Sequence, residues 1–432
     1  MSSRLSTNPA SLTLAVEACR RQDPDGFHRL RQEFAPPTLA TAHHFLDDPQ
    51  QSEDVVHDVL VLAWLNARRF RADIDHPGIW LFNILGSRLH NQLEASGESG
   101  HSPNTRQVPA RLRGQVLWAL SHELTPQPPS ASLYKRLADS LSARLEASRL
   151  PRTPTGELVH PPLFDVRLRR KMLTSRLGYQ AKETFKRHLG KPVEEWLFHR
   201  WLTQRVGGRW LIEQGLPRRS VEAYLGEQLE LRLNPRRLMR DFSYPAAFPD
   251  RIARRKASNL FLWSGDWDQP RQYLADSGRT RLIQDIWCHR LAPERSETFR
   301  QLKQQLEQGR PFRSHHKGML LDSEQRILEY LRLYLLYMEN MACFGFDRHE
   351  GKDRLGVAID RHGRIIKTNK GLHRLAMAQV LGLSEIAVRV RSVHRLWWDE
   401  VARQARGRDA LERVAAALQE CTPAPGKEQN GL

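Results

Sequence analysis

The chain has 432 residues, of which 40% are hydrophobic and 27% charged, a balance that excludes a disordered or fibrous protein and allows several globular domains. No apolar run approaches the roughly 18 residues of a membrane-spanning helix, and the opening M-S-S-R-L-S-T-N-P-A lacks the apolar core of a signal peptide. The net charge of +18 is concentrated in residues 101–260, which hold 30 Lys and Arg against 14 Asp and Glu. Such a field is expected where a phosphate backbone is bound, although a solvated basic surface has the same composition.

The cysteine spacing bears on location and metal binding. Cys19, Cys288, Cys343 and Cys421 lie far apart and form no C-x-x-C pair. This argues against a zinc site or a disulfide framework. We therefore expect a cytoplasmic protein that holds no metal and contacts no membrane.

Hydrophobic periodicity predicts a mainly α N-terminal two-thirds and an α+β C-terminal domain. Stretches rich in Pro, Ser and Gly separate the expected segments. These are a helical domain at 11–95, a connector at 96–165 with helices near 111–123 and 133–148, a basic helical domain at 166–245, an α+β domain at 258–400 and a disordered tail at 420–432.

The N-terminal block reads as packed helices. Pro36-Pro37 is expected to interrupt one of them. Ser52 is predicted to cap the next, which places Glu53 and Asp54 in its first turn, at the positive end of the helix dipole. That helix is apolar around most of its circumference and therefore needs cover on more than one side. Pro77 is predicted to start another helix.

The run D-D-P-Q-Q-S-E-D-V-V-H-D-V-L-V-L-A-W, followed by R-R-F and by W-L-F-N-I-L-G-S-R-L-H-N-Q-L, resembles region 2 of extracytoplasmic-function sigma factors over about residues 12–95. The resemblance implies docking on core RNA polymerase through Glu53, Asp54, His57 and Asp58. It also implies that a second helix faces the melted promoter through Trp80, Asn83, Ser87, Arg88 and Asn91. The alternative is an ordinary helical bundle with solvated polar residues.

The segment from 189 to 228 has the layout of a helix-turn-helix. Gly215 turns the chain, and Val221 packs the second helix on the first. G-L-P-R-R-S-V-E-A-Y-L resembles the G-x-S-R-x-T-V-x-x-Y-L of many bacterial regulators. The expected base-reading residues are Arg218, Arg219, Ser220 and Glu222. The expected phosphate contacts are Lys191, Arg205, Arg209 and Arg232. A simple helical hairpin remains the alternative.

Near the C-terminus, D-R-H-G-R-I-I-K-T-N-K-G-L-H-R-L-A-M-A-Q-V-L-G-L-S-E-I-A-V-R-V-R resembles ParB/sulfiredoxin-like folds over about residues 320–395. These share a strand, a turn, a strand, a helix opened by G-x-H-R-L-A, and a further strand. A glycine at a helix start and a fork-shaped cation suit a phosphate, a nucleotide (CTP or ATP) or a nucleic-acid backbone. The expected anion-binding residues are Lys367, Lys370, Gly371, His373 and Arg374. Alternatively, Gly371 only makes a tight turn and Arg374 pairs with a carboxylate.

Other polar clusters lack a defined spacing. Asp266 and Asp268 in S-G-D-W-D would suit a metal or an acid–base pair, but neighbouring carboxylates are more often structural. His315-His316 and Asp347–His349–Glu350 lack the spacing of a metal site. No Gly-Lys-Ser/Thr phosphate loop, G-x-S-x-G turn or H-E-x-x-H helix occurs, so the sequence predicts no catalytic residue.

The sequence thus favours a non-enzymatic, DNA-binding transcription protein that docks on RNA polymerase, reads DNA through a helix-turn-helix and carries a ParB-like anion-binding domain. One alternative is a ParB-like nucleotide-dependent enzyme or switch. Another is a plasmid- or phage-type DNA-binding protein that makes no polymerase contact.

Overall fold

A computed structural model describes residues 9–425 except 97–111, 113–114, 117–118, 120–127, 154–158, 186–187, 189, 205–207, 243, 270, 275–276 and 348–353. The helix predicted near 111–123 lies largely outside the described residues, as do His349, Glu350 and the last seven residues of the predicted tail. No helix in the described part is long and apolar enough to cross a bilayer.

Helices and strands are numbered here in chain order. The helices are α1 Pro9–Arg20, α2 Pro24–Phe45, α3 Pro49–Asn66, α4 Pro77–Ser96, α5 Ala131–Arg149, α6 Arg169–Phe185, α7 Lys191–Leu202, α8 Gly208–Glu213, α9 Arg218–Leu225, α10 Tyr244–Ala247, α11 Arg251–Ala257, α12 Gly278–Cys288, α13 Glu297–Glu307, α14 Glu324–Phe344, α15 Leu372–Val380, α16 Arg395–Ala402 and α17 Gly407–Leu418. The strands are β1 Glu230–Leu233, β2 Arg240–Phe242, β3 Leu262–Trp263, β4 Arg271–Tyr273, β5 Arg313–Ser314, β6 Met319–Leu320, β7 Gly356–Ile359, β8 Arg364–Lys367, β9 Ile386–His394 and β10 Thr422–Pro423. The fold is helical at the N-terminus and α+β at the C-terminus, as predicted.

The chain divides into two compact units. Unit 1 contains residues 1–152, 158–168 and 288–345, and unit 2 contains residues 153–157, 169–287 and 346–432. The chain therefore returns to unit 1 at residue 288, inside the segment that was expected to form the α+β domain.

Two local details of unit 1 differ from expectation. Helix α2 runs unbroken through Pro36-Pro37, because the neighbouring Phe34, Ala35 and Leu39 are buried and hold the helix against the core. Helix α3 begins at Pro49 and not after Ser52, because the Asp48 side chain accepts hydrogen bonds from the backbone N–H groups of residues 50 and 51. Glu53 and Asp54 consequently lie beyond the first turn of α3.

The core of unit 1 extends beyond the N-terminal block. Leu133 and Leu137 on α5 are fully buried in the same hydrophobic cluster as the valines of α3, and Leu336 and Phe344 on α14 pack against it. Helix α5 confirms the helix predicted at 133–148. The nearly all-round apolar character of α3 is thus explained, since several helices cover it.

Unit 2 is built around a mixed sheet with strand order β1-β9-β7-β8-β2-β4, in which β10 pairs with β8 and β3 pairs with β9. The hairpin of β7 and β8, helix α15 and then β9 confirm the element order predicted near the C-terminus. Strands β1 and β2 lie in the block that was expected to be helical, because their partners are distant strands. Strand β10 lies within the predicted disordered tail.

Candidate functional site

Four polar residues follow one side of α3 and form a surface termed here the acidic edge: Glu53, Asp54, His57 and Asp58. Their spacing along the helix places them on one face. The residues of the opposite face are fully buried in unit 1: Val55, Val56, Val59 and Leu60. The structure therefore brings the four predicted docking residues together.

Helix α5 contacts the front of the acidic edge. Arg136 on α5 pairs with Asp54 at 2.5 Å and with Glu53 at 3.5 Å. The backbone N–H of Ser130, the N-cap of α5, donates to Glu53 Oε1 at 3.2 Å. The Glu53 side chain is only 14% exposed, whereas that of Asp54 is 48% exposed. Most of the polar capacity of Glu53 is thus used within the chain.

The rear of the acidic edge is also engaged. His57 lies between two partners, with Nδ1 at 3.0 Å from Asp58 Oδ1 and Nε2 at 3.0 Å from Ser140 Oγ on α5. Arg88 on α4 donates to Asp58 Oδ2 from two nitrogens, at 2.7 and 3.0 Å. Burial would raise the pKa of the Asp58 carboxyl, but the Arg88 guanidinium and His57 together outweigh it and hold that pKa below its usual range.

Arg88 also reaches α14. It donates to Glu339 Oε1 at 2.9 Å, and Asn91 donates to Glu339 Oε2 at 2.9 Å. The side chains of Arg88 and Glu339 are 12% and 7% exposed. Burial raises the pKa of Glu339 in spite of the Arg88 charge. The residue expected to face melted DNA is instead the centre of an ion-pair network inside unit 1.

The other predicted DNA-facing residues of α4 divide into two kinds. Asn83 is exposed, whereas Trp80 is partly buried. The Trp80 ring lies 5.6 Å from that of Phe70 and 6.2 Å from that of Phe344 on α14. Only Asn83 is therefore presented to solvent in the way the resemblance implies.

Residues 30–97 match the family model of Sigma-70 region 2. This region 2 segment contains the acidic edge and all of α4, and the resemblance expected for this part of the chain is confirmed. No curated protein matches the chain, and no solved structure does. The helix-turn-helix and ParB-like resemblances stay predictions.

The segment that was predicted to form a helix-turn-helix contains α7, α8 and α9 of unit 2. Gly215 has a φ of +104°, and a Cβ there would lie 2.7 Å from the Leu262 carbonyl oxygen, so the turn admits only glycine. Val221 is fully buried. Arg205 lies outside the described residues, and only the backbone of Arg209 is described, in α8.

The expected base-reading residues of α9 are not all exposed. Ser220 is buried and donates to Glu194 Oε1 at 2.9 Å. Glu222 lies 3.4 Å from Arg391 and 3.6 Å from Arg218. The expectation of exposure is thus wrong for Ser220, because α7 packs over it. Arg219 is half exposed, 3.8 Å from Glu183.

The predicted phosphate contacts Lys191 and Arg232 lie at the surface. Lys191 pairs with Glu195 at 3.3 Å along α7. Arg232 pairs with Glu385 at 2.9 Å. Both pairs are exposed, so a phosphate would compete for these cations at little cost.

Lys367, one of the predicted anion-binding residues, lies inside the fold. Lys367 is fully buried, and its Nζ donates to the carbonyl oxygens of Gly356, Thr368 and Lys370. Strand pairing sets Asp241 beside Lys367, and burial raises the pKa of Asp241 to about 6 against that positive charge. Lys367 therefore fixes the β8 end and does not face a surface anion.

The start of α15 keeps part of the expected pattern. Gly371 is its N-cap with a φ of +76°, and His373 is exposed. Arg374 donates to the Asp347 carbonyl oxygen and lies 4.3 Å above the Phe346 ring. Arg374 is thus engaged by a carbonyl oxygen and an aromatic ring within unit 2.

Asp266 and Asp268 share the guanidinium of Arg361. Asp268 is fully buried and accepts from Arg361 at 2.7 to 3.1 Å, while the exposed Asp266 accepts from the same guanidinium at 2.6 Å. This clamp ties the β7–β8 turn to the loop after β3. Among the residues that the structure describes, no group of three His, Cys, Asp or Glu side chains could hold a metal ion.

Sequence reasoning missed the partners that cover the region 2 segment: Arg136, Ser140 and Glu339. The apolar spacing of Leu133 and Leu137 indicates that one face of α5 packs against another part of the chain, but it does not identify that part. Glu339 lies 251 residues from Arg88, and no local pattern links them.

Proposed function

We propose that this chain is a DNA-binding transcription protein that docks on core RNA polymerase through the acidic edge of α3. The observation that carries the proposal is the match of residues 30–97 to Sigma-70 region 2, together with the grouping of Glu53, Asp54 and Asp58 on one helix face. Carboxylates on a packed helix recognise basic side chains with defined geometry. Asp54, half exposed at the front, is the first contact for such a partner.

DNA binding is assigned to unit 2. Residues 101–260 carry a balance of +16 from 30 basic and 14 acidic residues, and the part of this segment from 169 onward lies in unit 2. The side chains of Arg219 on α9, Lys191 on α7 and Arg232 on β1, all about half exposed or more, supply phosphate contacts. Because Asn83 is the one predicted DNA-facing residue of α4 that is exposed, we assign duplex binding to unit 2.

The test measures the affinity of the full chain for core RNA polymerase by biolayer interferometry. Asp54→Ala should weaken binding by about tenfold, the cost of a lost charge-assisted contact in an interface. Asp47→Ala is the matched control, because Asp47 is an exposed aspartate just before α3. Equal affinities for wild type and Asp54→Ala would remove the acidic edge from the docking surface.

A further inference from the structure

We propose that α5 is an intramolecular occupant of the acidic edge, and that α5 and a basic surface of RNA polymerase compete for it. This inference rests on the proposed docking function. It adds that the folded chain is in a covered state, and that docking requires α5 to leave α3.

The contacts of α5 fall on the predicted docking residues. Arg136 holds Glu53 and Asp54, the N–H of Ser130 holds Glu53, and Ser140 holds His57. Three of the four residues of the acidic edge thus have a partner on one helix. The fourth, Asp58, is held by Arg88 from within the region 2 segment.

The chemistry of α5 is that of a docking partner. A surface that binds both Glu53 and Asp54 must place a cation where the Arg136 guanidinium lies, because the two adjacent carboxylates share one cation at that position. Arg136 already fills it. A cation of the polymerase therefore cannot take this position while Arg136 occupies it.

The contact of α5 with α3 has a buried apolar base and, around it, a partly exposed polar rim formed by the ion pairs of Arg136. Leu133 and Leu137 are fully buried against the core of unit 1, which fixes where α5 sits. The Arg136 and Asp54 side chains are 34% and 48% exposed, and ion pairs at such sites contribute little net stability. The rim is thus the part of the contact that a competing basic surface would open first.

Proline-rich stretches flank α5 in the sequence. T-P-Q-P-P-S precedes the helix and L-P-R-T-P-T-G follows it, and stretches of this composition read as linkers. The main packing of α1 to α4 is made within the N-terminal block. Displacement of α5 would therefore uncover α3 without dismantling the helices that carry the acidic edge.

Helix α14 covers the other functional face of the same segment. Glu339 and Phe344 occupy Arg88 and Trp80, the residues expected to face melted DNA. The polymerase-facing and DNA-facing sides of the region 2 segment are thus both occupied by helices from outside it. A simple surface ion pair would not account for cover on two sides.

The experiment compares the full chain with Arg136→Glu and with the control Lys135→Glu. Both substitutions change the charge by the same amount on adjacent residues of α5, but Lys135 is exposed, whereas Arg136 pairs with Glu53 and Asp54. Hydrogen exchange of residues 131–149 reports whether α5 is released. Biolayer interferometry reports the affinity for core RNA polymerase.

We expect Arg136→Glu to speed hydrogen exchange across α5. We also expect it to tighten polymerase binding by about threefold to tenfold, because a larger fraction of the molecules then has an uncovered acidic edge that can bind. Lys135→Glu should leave both readouts at their wild-type values. Unchanged exchange in Arg136→Glu would overturn the claim that Arg136 holds the cover.

The remaining outcomes separate this inference from the docking function. Faster exchange with unchanged or weaker polymerase binding would overturn the competition and leave docking in place. Faster exchange in Arg136→Glu without any polymerase binding, by it or by wild type, would overturn the proposed function itself.

Discussion

The region 2 segment of unit 1 and the α7–α9 segment of unit 2, which was predicted to form a helix-turn-helix, differ in how their predicted contact residues are placed. In the region 2 segment the charged side chains of α3 share one face, but helices from elsewhere in the chain engage them. In the α7–α9 segment Ser220 is turned inward by Glu194 of the adjacent helix, while Arg219 stays half exposed. A motif therefore specifies which face a residue occupies, whereas distant packing decides whether that face is free.

The largest effect is expected in the buried network of unit 1. Glu339→Ala would leave Arg88 buried beside Asp58 alone, and breaking a buried pair of this kind costs about 3–5 kcal/mol of folding free energy. Urea unfolding measures it. Glu324→Ala is the control on the same helix, since its pair with Lys303 is exposed and contributes about 0–1 kcal/mol. Equal losses would show that the network adds no more than a surface pair.

In unit 2, a buried and an exposed carboxylate that pair with the same guanidinium, that of Arg361, can be compared directly. Asp268→Asn leaves Arg361 without its buried carboxylate and is expected to cost about 2–3 kcal/mol. Asp266→Asn removes a carboxylate that is 80% exposed on the same Arg361 and should cost less than about 1 kcal/mol. Thermal unfolding of both variants tests this. A loss of DNA binding in Asp268→Asn with unchanged stability would contradict a purely structural role.

A smaller effect is expected from pH in unit 1. Burial, reinforced by the positive charge of Arg144, lowers the pKa of His160 from 6.5 to about 4. Because the folded pKa lies below the unfolded one, the contribution of His160 to stability is full above pH 6.5 and is lost as pH falls toward 4. His160→Gln should flatten the fall in melting temperature between pH 6.5 and 4. An identical pH profile for wild type and variant would refute this assignment.

The smallest effect is expected on DNA binding. Arg219→Ala should weaken binding to any duplex by less than about 1 kcal/mol and reduce the slope of log affinity against log salt by about 1. Arg413→Ala, an exposed arginine on α17, should leave the slope unchanged. Fluorescence anisotropy across a salt series measures both. A change confined to one DNA sequence would instead indicate that Arg219 reads a base.

Local pattern was sufficient for the elements of the candidate site. The valines and leucines of α3, Pro77 before α4 and Gly215 before α9 all mark structure that depends on near neighbours. The start of α3 was misplaced because Asp48 and Ser52 are both good capping residues, and the geometry at Pro49 decides between them. An error of this kind moves the predicted start of the helix by one turn, but each residue keeps its predicted face of the helix.

Long-range partners could not be predicted. Leu231 pairs across the sheet with Val388. Strand β1 is too short for its pattern to be recognised as a strand within a block of helical periodicity. Lys367 looked like a surface cation because nothing in R-I-I-K-T-N-K shows that three carbonyl oxygens will enclose its ammonium group. These outcomes depend on which segments meet in three dimensions.

The interrupted course of unit 1 has a consequence for biosynthesis. At about 5–20 residues per second, the ribosome needs on the order of 10–50 seconds to make the 251 residues between Arg88 and Glu339. During that interval the nascent region 2 segment has no α14 to occupy Arg88 and Trp80. The order of synthesis thus leaves the Arg88 and Trp80 face of α4 without α14 long after α5 has been made, and co-translational encounters of that face with nucleic acid would fall in that window.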